Sequence, residues 1–181
     1  MNEPPPITPA RPDDAEAIAA LNNRYAPDGL TLPRTPAFVA VRIESYRVAR
    51  DAAGPLLGCV AIDEYAPSLA ELVSLAVAPE AQGRGLGRRL IAAAEALARQ
   101  RGYPELFAVS LADTLFEAAG FRHSSIARYP EKTARYAAIS RSELSIGKKF
   151  LFTKRLGADD RRPGGRPAGV RPAPARRGAR R

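Results

Sequence analysis

Short apolar segments alternate with amphipathic segments along the chain, and this pattern predicts an α/β domain. The second and third predicted strands flank a turn that contains Gly54 and Pro55, an arrangement typical of an antiparallel meander. The predicted strands, each an apolar run bounded by turn signals, cover residues 7–10, 46–50, 56–65, 69–78, 106–110, 121–128 and 150–155.

Helices are predicted between the strands from capping residues and from apolar positions at helical spacing. Thr35 followed by Pro36 is a strong helix start, because the hydroxyl caps free amides and proline suits the first turn. Gly102 and Gly120 predict two helix ends, since glycine readily adopts the left-handed conformation that closes a helix. The predicted helices cover residues 13–23, a segment that starts at residue 35, residues 85–100 and residues 113–119.

The net charge of +9 is concentrated at the C-terminus. Residues 157–181 hold eight arginines against Asp159 and Asp160, so they carry +6 and leave only +3 for the rest. The same segment contains four prolines and five glycines and almost no large apolar residue, which predicts disorder. We therefore expect a flexible N-terminus at residues 1–6, one folded domain at residues 7–156, and a basic tail with weak, non-specific affinity for nucleic acid.

The rest of the composition restricts the classes of function. Cys59 is the single cysteine, which fits a reducing cytoplasm, and residues 1–6 lack the basic and apolar regions of a signal peptide. No apolar run approaches the ~20 residues of a membrane span, so no membrane partner is expected. His123, the single histidine, is interpreted as structural, and without a Cys/His cluster no metal is expected.

The most informative motif is Gln82-Gly83-Arg84-Gly85-Leu86-Gly87, which lies between a predicted strand and a predicted helix. Its glycines allow the backbone to approach a ligand closely, and the free amides at a helix start bind phosphate oxygens. Arg88 and Arg89 follow directly and add positive charge. The motif lacks the lysine of a P-loop and the last glycine of a dinucleotide fingerprint, which excludes both.

Residues 72–90 resemble motif A of the GNAT acetyltransferases, and residues 6–156 follow the order of strands and helices in that family. The resemblance implies the GNAT fold, a mixed and mostly antiparallel sheet flanked by helices, with acetyl-CoA in a cleft between the central strands. It therefore implies an acetyl-CoA-dependent N-acetyltransferase. Carried over by position, the expected contacts are Leu75, Ala76 and Val77 to the pantetheine arm, and Gln82, Gly83, Arg84, Gly85, Leu86, Gly87 and Arg88 to the diphosphate.

Four shorter segments narrow the resemblance to stand-alone proteins similar to the acetyltransferase domain of N-acetylglutamate synthase. They are residues 10–18, 32–35, 58–61 and 129–132. In that group the arginine at the position of Arg34 is expected to bind the acceptor's carboxylate, which a guanidinium fits with two parallel hydrogen bonds. Arg128, Lys132 and Lys148 are weaker candidates for a second carboxylate. The resemblance implies an amino acid such as glutamate as the acceptor. Residues 139–149 depart from the group's pattern, so the identity of the acceptor stays open.

Catalysis requires a base, because an amine attacks a thioester only after it has lost its proton. Glu71 is the candidate, since its position matches a glutamate used as general base in several GNAT enzymes. It precedes Val77 by six residues, so strand alternation predicts both side chains on one face of the sheet. Asp63 and Glu64 are the alternatives, and a backbone N–H near Val77 is the expected oxyanion donor.

The leaving thiolate needs a proton donor. Many GNAT enzymes use a tyrosine where this chain has Phe116, which has no proton to give. Ser110, at the end of the preceding strand, is the predicted substitute, with Tyr129 and Tyr136 behind it. Direct transfer is expected, because Cys59 has no evident histidine partner and is interpreted as a packing thiol.

Three other functions stay open at this stage. They are a GNAT that acts on a protein N-terminus, a polyamine or another small molecule; a nucleic-acid-binding protein; and a non-catalytic sensor of acetyl-CoA. Family analogy alone allows a homodimer, for which no residue gives evidence.

Overall fold

A computed structural model describes residues 4–51, 54–138 and 150–157. Within these ranges the strands are Ile7–Pro9 (β1), Tyr46–Arg50 (β2), Leu56–Ala66 (β3), Leu69–Val77 (β4), Glu105–Ser110 (β5), Arg122–Ser124 (β6) and Phe150–Arg155 (β7). They form one sheet in the order β1-β2-β3-β4-β5-β7-β6. Every neighbouring pair is antiparallel except β4 and β5, so the predicted mixed and mostly antiparallel sheet is confirmed.

Helices begin and end largely where capping residues predict. The hydroxyl of Thr35 accepts a hydrogen bond from the Phe38 amide at 3.1 Å, which confirms the predicted helix start. Gly102 and Gly120 follow two helices with φ of +82° and +83°. The α-helices of the described chain are Ala15–Asn23 (α1), Pro36–Ala40 (α2), Leu86–Gln100 (α3), Asp113–Ala118 (α4) and Pro130–Ala138 (α5).

Both faces of the sheet are covered by apolar side chains. On one face α3 packs its buried stripe, which includes Leu90 and Ile91, against strand residues such as Leu106. On the other face α1 and α2 pack Ile18 and Val39 against the sheet. Burial of each such side chain contributes about 1.5–3 kcal/mol, so this double covering fixes the sheet on which the site is built.

The prediction of one strand over residues 121–128 is wrong in its second half. Only Arg122–Ser124 is a strand, and Ile126–Arg128 forms a 3-10 turn that leads into α5. The hydroxyl of Ser125 accepts from the Ala127 amide at 3.3 Å and so starts this turn. A capping serine and the proline at the start of α5 outweigh the weak apolar alternation of this segment.

A bulge in β4 reverses the alternation of its side chains. Cys59 lies opposite Ala76 and Ala61 opposite Val73, so β4 has one more residue than β3 between these pairs. Ser74, within the extra length, has a φ of +53°. Leu72 and Val77 consequently pack into the same apolar cluster, although strict alternation would separate them.

Residues 139–149 and nearly all of the predicted tail lie outside the described residues. The predictions made for them, and for the acceptor-side segment in particular, stay predictions. Among the described residues, no helix combines the length and the apolar character needed to cross a membrane.

Candidate active site

A cleft opens in the middle of the sheet where β4 and β5 separate. The two strands pair only between residues 69–72 and residues 105–108. Beyond that point β4 continues to Val77 against β3, while β5 continues to Ser110 against β7. The space between them has a volume of about 730 Å³ and is lined by β4, the turn before α3, the end of β5 and the segment between α1 and α2.

The last residues of β4 direct backbone polar groups into this cleft. The Ala78 amide donates to the Leu57 oxygen at 2.9 Å, which makes Val77 and Gly58 a non-hydrogen-bonded pair. The N–H and C=O of Val77 therefore point away from β3. The oxygen accepts from the hydroxyl of Tyr25 and from Gln82 Nε2 at 3.2 Å.

The glycine-rich turn forms the predicted helix start at one end of the cleft. Gly83 and Gly85 have φ of +73° and +77°, a left-handed conformation that L side chains rarely adopt. Gly85 is the N-cap of α3 and provides no side-chain acceptor, so the first amides of the helix remain available to an anion. The predicted cofactor-binding residues Leu75, Ala76, Val77, Gln82, Gly83, Gly85, Leu86, Gly87 and Arg88 all line the cleft.

Two arginines near the start of α3 lie outside the lining of the cleft. Arg84 is absent from the lining of the cleft. Arg89 donates to the Pro5 oxygen at 2.9 Å and so holds the N-terminal segment against α3. Of the arginines near the helix start, Arg88 is the one that lines the cleft.

Glu71 lies near the point at which β4 and β5 separate, with only 3% of its surface exposed. Its two carboxylate oxygens each accept a hydrogen bond from Lys132 Nζ at 2.7 Å. Lys132 belongs to α5 and is itself 5% exposed. Burial raises the pKa of Glu71, while the Lys132 ammonium opposes the rise. The candidate base therefore forms a buried ion pair, which its sequence position did not indicate.

The prediction that Glu71 and Val77 share a face is wrong, because the bulge at Ser74 intervenes. Ala70 and Leu72 pack in the same cluster as Val77, on the face covered by α3. Glu71, between them in sequence, points to the opposite face. Both residues still line the cleft, because it passes through the sheet's opening rather than over one face.

The alternative bases differ in position. Glu64 accepts from the Tyr103 hydroxyl at 2.6 Å and does not line the cleft. Asp63 lines the cleft and lies directly opposite Glu71 in the register of β3 and β4. Its negative charge adds to the rise in the pKa of Glu71.

Arg34 lines the cleft on the side of α2, as its predicted role requires. Its backbone is fixed on both sides by Asn23, which accepts from the Arg34 amide at 2.8 Å and donates to the Arg34 oxygen at 2.8 Å. Its guanidinium lies 4.3 Å from the ring centre of Phe38, and that of Arg42 lies 4.0 Å from the same ring. Two guanidiniums therefore face this part of the cleft, and Arg42 was not predicted.

The two weaker carboxylate candidates that the structure describes do not extend the charged site around Arg34. Lys132 is engaged by Glu71, and Arg128 is exposed outside the lining of the cleft. Lys148 lies outside the described residues.

Ser110 lines the cleft at the end of β5. Its oxygen accepts from the Ala112 amide at 3.0 Å, which leaves the hydroxyl proton to donate elsewhere. Phe116 is 2% exposed, stacks on Phe152 and meets Phe121 edge to face. Tyr129 donates to Glu105 at 2.5 Å and does not line the cleft, and the side chain of Tyr136 lies outside the described part.

Cys59 and His123 have the structural positions predicted for them. Cys59 is fully buried, and burial raises the pKa of its thiol to about 12. His123 is half exposed, contacts Glu117 at 3.0 Å and packs against Phe152. Within the described ranges, no group of three or more histidine, cysteine or carboxylate side chains is arranged to hold a metal ion.

Comparison with known proteins gives consistent matches. Residues 42–123 match the family model described as "Acetyltransferase (GNAT) domain". The chain is 36% identical over 123 residues to an uncharacterised N-acetyltransferase of Chlorobaculum tepidum. These aligned residues cover 68% of this chain and 79% of that relative. It is 30% identical over 140 residues to an amino-acid acetyltransferase of Ralstonia nicotianae, covering 76% of this chain but only 31% of that protein.

Solved structures share the fold. The N-acetylglutamate synthase of Neisseria gonorrhoeae, complexed with coenzyme A and N-acetyl-glutamate, superposes with a TM-score of 0.74 at 29% identity over 87% of this chain and 36% of its own. Rv2747 of Mycobacterium tuberculosis superposes with a TM-score of 0.72 at 22% identity over 83% of this chain and 99% of its own. The chain thus spans about a third of the length of the amino-acid acetyltransferases it matches. With the sheet opening, the glycine turn and a relative of this identity and coverage, the chain belongs to the GNAT family of N-acetyltransferases.

Proposed function

We propose that this enzyme transfers the acetyl group of acetyl-CoA directly to the amine of a small acceptor that carries a carboxylate, an amino acid such as glutamate. One observation carries the proposal: the separation of β4 from β5 places Glu71, Arg34 and the start of α3 around one cleft. Glu71 and Val77 are six residues apart along β4, or roughly 20 Å. That length suits an extended donor with its phosphates at the glycine turn and its acetyl group toward Glu71.

The proposed donor site has the chemistry of a diphosphate site. Free amides at the start of α3, the two left-handed glycines and the guanidinium of Arg88 together favour a negatively charged, closely approached ligand. The N-acetylglutamate synthase that this chain resembles at 29% identity binds coenzyme A. Both points support acetyl-CoA as the donor.

The proposed acceptor site is positively charged where a carboxylate would bind. The Asn23 hydrogen bonds fix the backbone of Arg34, and its guanidinium packs on the Phe38 ring. A guanidinium held in this way suits two parallel bonds to a carboxylate. Amino-acid acetyltransferases are among the relatives at 30% identity or more. This supports an amino acid over a cationic acceptor such as a polyamine.

In the proposed chemistry the acetyl group passes directly from acetyl-CoA to the acceptor, without a covalent intermediate on the enzyme. Glu71, directly or through a water molecule, removes the proton from the acceptor's ammonium, an effect typically worth 10²–10⁴-fold in rate. The amine then attacks the thioester carbon, and the Val77 N–H stabilises the oxygen that becomes negative. The C–S bond then breaks as the carbonyl re-forms, and the amine nitrogen loses its second proton. That proton reaches the departing thiolate through Ser110, whose hydroxyl donates its own proton and is reprotonated. Cys59 takes no part, because a buried thiol with a pKa of about 12 stays protonated at neutral pH.

An acceptor panel tests the proposal. Purified enzyme is incubated with acetyl-CoA and glutamate, glutamine, other amino acids, polyamines and N-terminal peptides, and release of free thiol is followed. We expect glutamate or a similar amino acid to give the fastest release, and Arg34→Ala to raise its KM roughly 10- to 100-fold, since a charge-assisted bond is worth about 1.5–3 kcal/mol.

Arg122→Ala is the matched control, because Arg122 is an exposed arginine on β6 outside the cleft. It should leave KM unchanged. Fast release with a polyamine and no effect of Arg34→Ala would refute the carboxylate assignment. Tight binding of acetyl-CoA without release for any acceptor would favour a sensor.

A further inference from the structure

The buried pair of Glu71 and Lys132 joins the candidate base to a distant part of the chain. Glu71 is on β4 and Lys132 is on α5, 61 residues later. The ammonium donates to both carboxylate oxygens at 2.7 Å and to the Tyr65 hydroxyl at 3.1 Å. Because one buried ammonium contacts both oxygens, the carboxylate is held toward α5.

The charges that face Glu71 come from two elements besides its own. From β3, Asp63 lies opposite in register and the Tyr65 hydroxyl approaches; from α5, Lys132 approaches. β5 contributes Phe107 opposite Glu71, which carries no charge. Burial and Asp63 favour the protonated acid, whereas Lys132 and Tyr65 favour the carboxylate.

A carboxyl group can act as a base only when it is ionised, since only the carboxylate can accept a proton. A carboxyl group buried beside another carboxylate would tend to bind a proton from solvent and lose that function. Lys132 supplies the one positive charge in direct contact with Glu71 among the described residues. We propose that Lys132 is a positioning residue for acetyl transfer, which holds the Glu71 carboxylate in place and keeps it ionised so that it can receive the acceptor's proton.

This inference rests on the proposed function, and its direct consequence is a pH dependence. Loss of the ammonium should raise the proton affinity of Glu71, by about 1–3 pH units for a charge in contact. The acid limb of kcat/KM should therefore move to higher pH in Lys132→Met, with activity recovering toward the wild-type value as the pH rises. Lys132→Arg keeps the cation and should keep the limb near its wild-type position.

Another lysine–glutamate ion pair of this protein offers a matched control. Lys154 of β7 forms a second, partly buried pair with Glu95 of α3, at 2.9 and 3.0 Å, outside the cleft. Lys154→Met breaks a comparable pair and should not move the acid limb. The acceptor's own amine titrates identically in every experiment. A difference between the variants in the acid limb of kcat/KM therefore comes from a group on the protein.

A second readout does not depend on turnover. Carbon-13 NMR of labelled glutamate carboxyls, with Glu71 identified by its loss in Glu71→Gln, gives the midpoint of its titration directly. We expect the midpoint in Lys132→Met to exceed that of the wild type. If that variant does not fold, Lys132→Gln carries the same prediction, because it removes the charge and keeps a donor.

The outcomes separate the two proposals. A uniform loss of activity at every pH, with an unchanged Glu71 midpoint, would show a merely structural lysine and overturn the inference. A raised midpoint in a protein that acetylates no acceptor would refute the proposed function while leaving the electrostatic role of Lys132 established.

Discussion

Cys59 lies fully buried in β3, where its thiol donates to the Ser74 backbone oxygen at 3.4 Å. Thiol reagents attack the thiolate, and burial holds the pKa of this thiol at about 12. A residue's reactivity is therefore set by its surroundings and not by its type. The same applies to Glu71, whose ion pair with Lys132 defines what it can do.

Cys59 should react with a thiol reagent far more slowly than a free thiol at pH 8, because less than about one part in 10³ is thiolate there. Labelling with Ellman's reagent in the native state, followed by addition of denaturant, checks this. We expect one thiol to appear only after unfolding. Immediate labelling of the native protein would show that the thiol is accessible and reopen a covalent mechanism.

Single-residue roles were only partly predictable from the sequence. Arg34 and Ser110 both line the cleft, and each adjoins a recognisable signal, a capping threonine or a strand end; their roles stay predictions. Tyr25 and Arg42 were missed, since neither lies in a motif and both reach the cleft through tertiary packing. The contact of Lys132 with Glu71 was also missed, because it crosses 61 residues of chain.

At the scale of elements, the turn before α3 and the bulge in β4 shape the two ends of the cleft. The turn was predictable, because its glycines and helix start form one local pattern. The bulge was not, because the sequence around Ser74 carries no glycine or proline to mark it. Tyr46, whose hydroxyl lies 3.4 Å from that of Ser74, is a long-range contact at the bulge.

Gly85→Ala should weaken acetyl-CoA binding and lower stability by about 1–2 kcal/mol, the cost of a left-handed conformation for an L residue. The cost arises from φ and not from crowding, since an added Cβ would meet nothing within 4 Å. Gly85→Asn should lose less, because asparagine tolerates this conformation better.

Denaturant unfolding and isothermal titration with acetyl-CoA measure the two effects. Gly157→Ala is the control, because a Cβ there also meets nothing and its φ is not left-handed. Equal effects of Gly85→Ala and Gly157→Ala would contradict the role assigned to this turn.

At the scale of the whole molecule, the sheet is a scaffold covered on both faces, and the cleft lies where β4 and β5 stop pairing. The order of elements was predictable from hydrophobic pattern. The separation of β4 from β5 was predicted only through the family resemblance, which implies a cleft between the central strands, because no residue's own preference marks where the pairing ends. α5 was also missed, because its first turn is polar and most of its apolar residues are alanines.

A chain that ends at Gly157 should keep the fold and acetyl transfer and lose retention on heparin at low salt. The deletion removes eight arginines and a net charge of +6. It keeps β7 and the bond from the Leu156 amide to the Pro104 oxygen at 2.7 Å. Heparin chromatography and an acetyl-transfer assay on the full-length and the truncated chain measure the two effects. Loss of turnover in the truncated protein would give the tail a part in catalysis.

The most direct test of the account is the rate of thiol release from acetyl-CoA with the best acceptor, in the wild type and in Glu71→Gln. Glu64→Gln is the matched control, since Glu64 is a carboxylate on the neighbouring strand that bonds Tyr103 outside the cleft. The account predicts a loss of about 10²–10⁴-fold in kcat for Glu71→Gln at neutral pH and little change for Glu64→Gln. Equal rates in the wild type and in Glu71→Gln would contradict it, because transfer would then proceed without the carboxylate on which the site is centred.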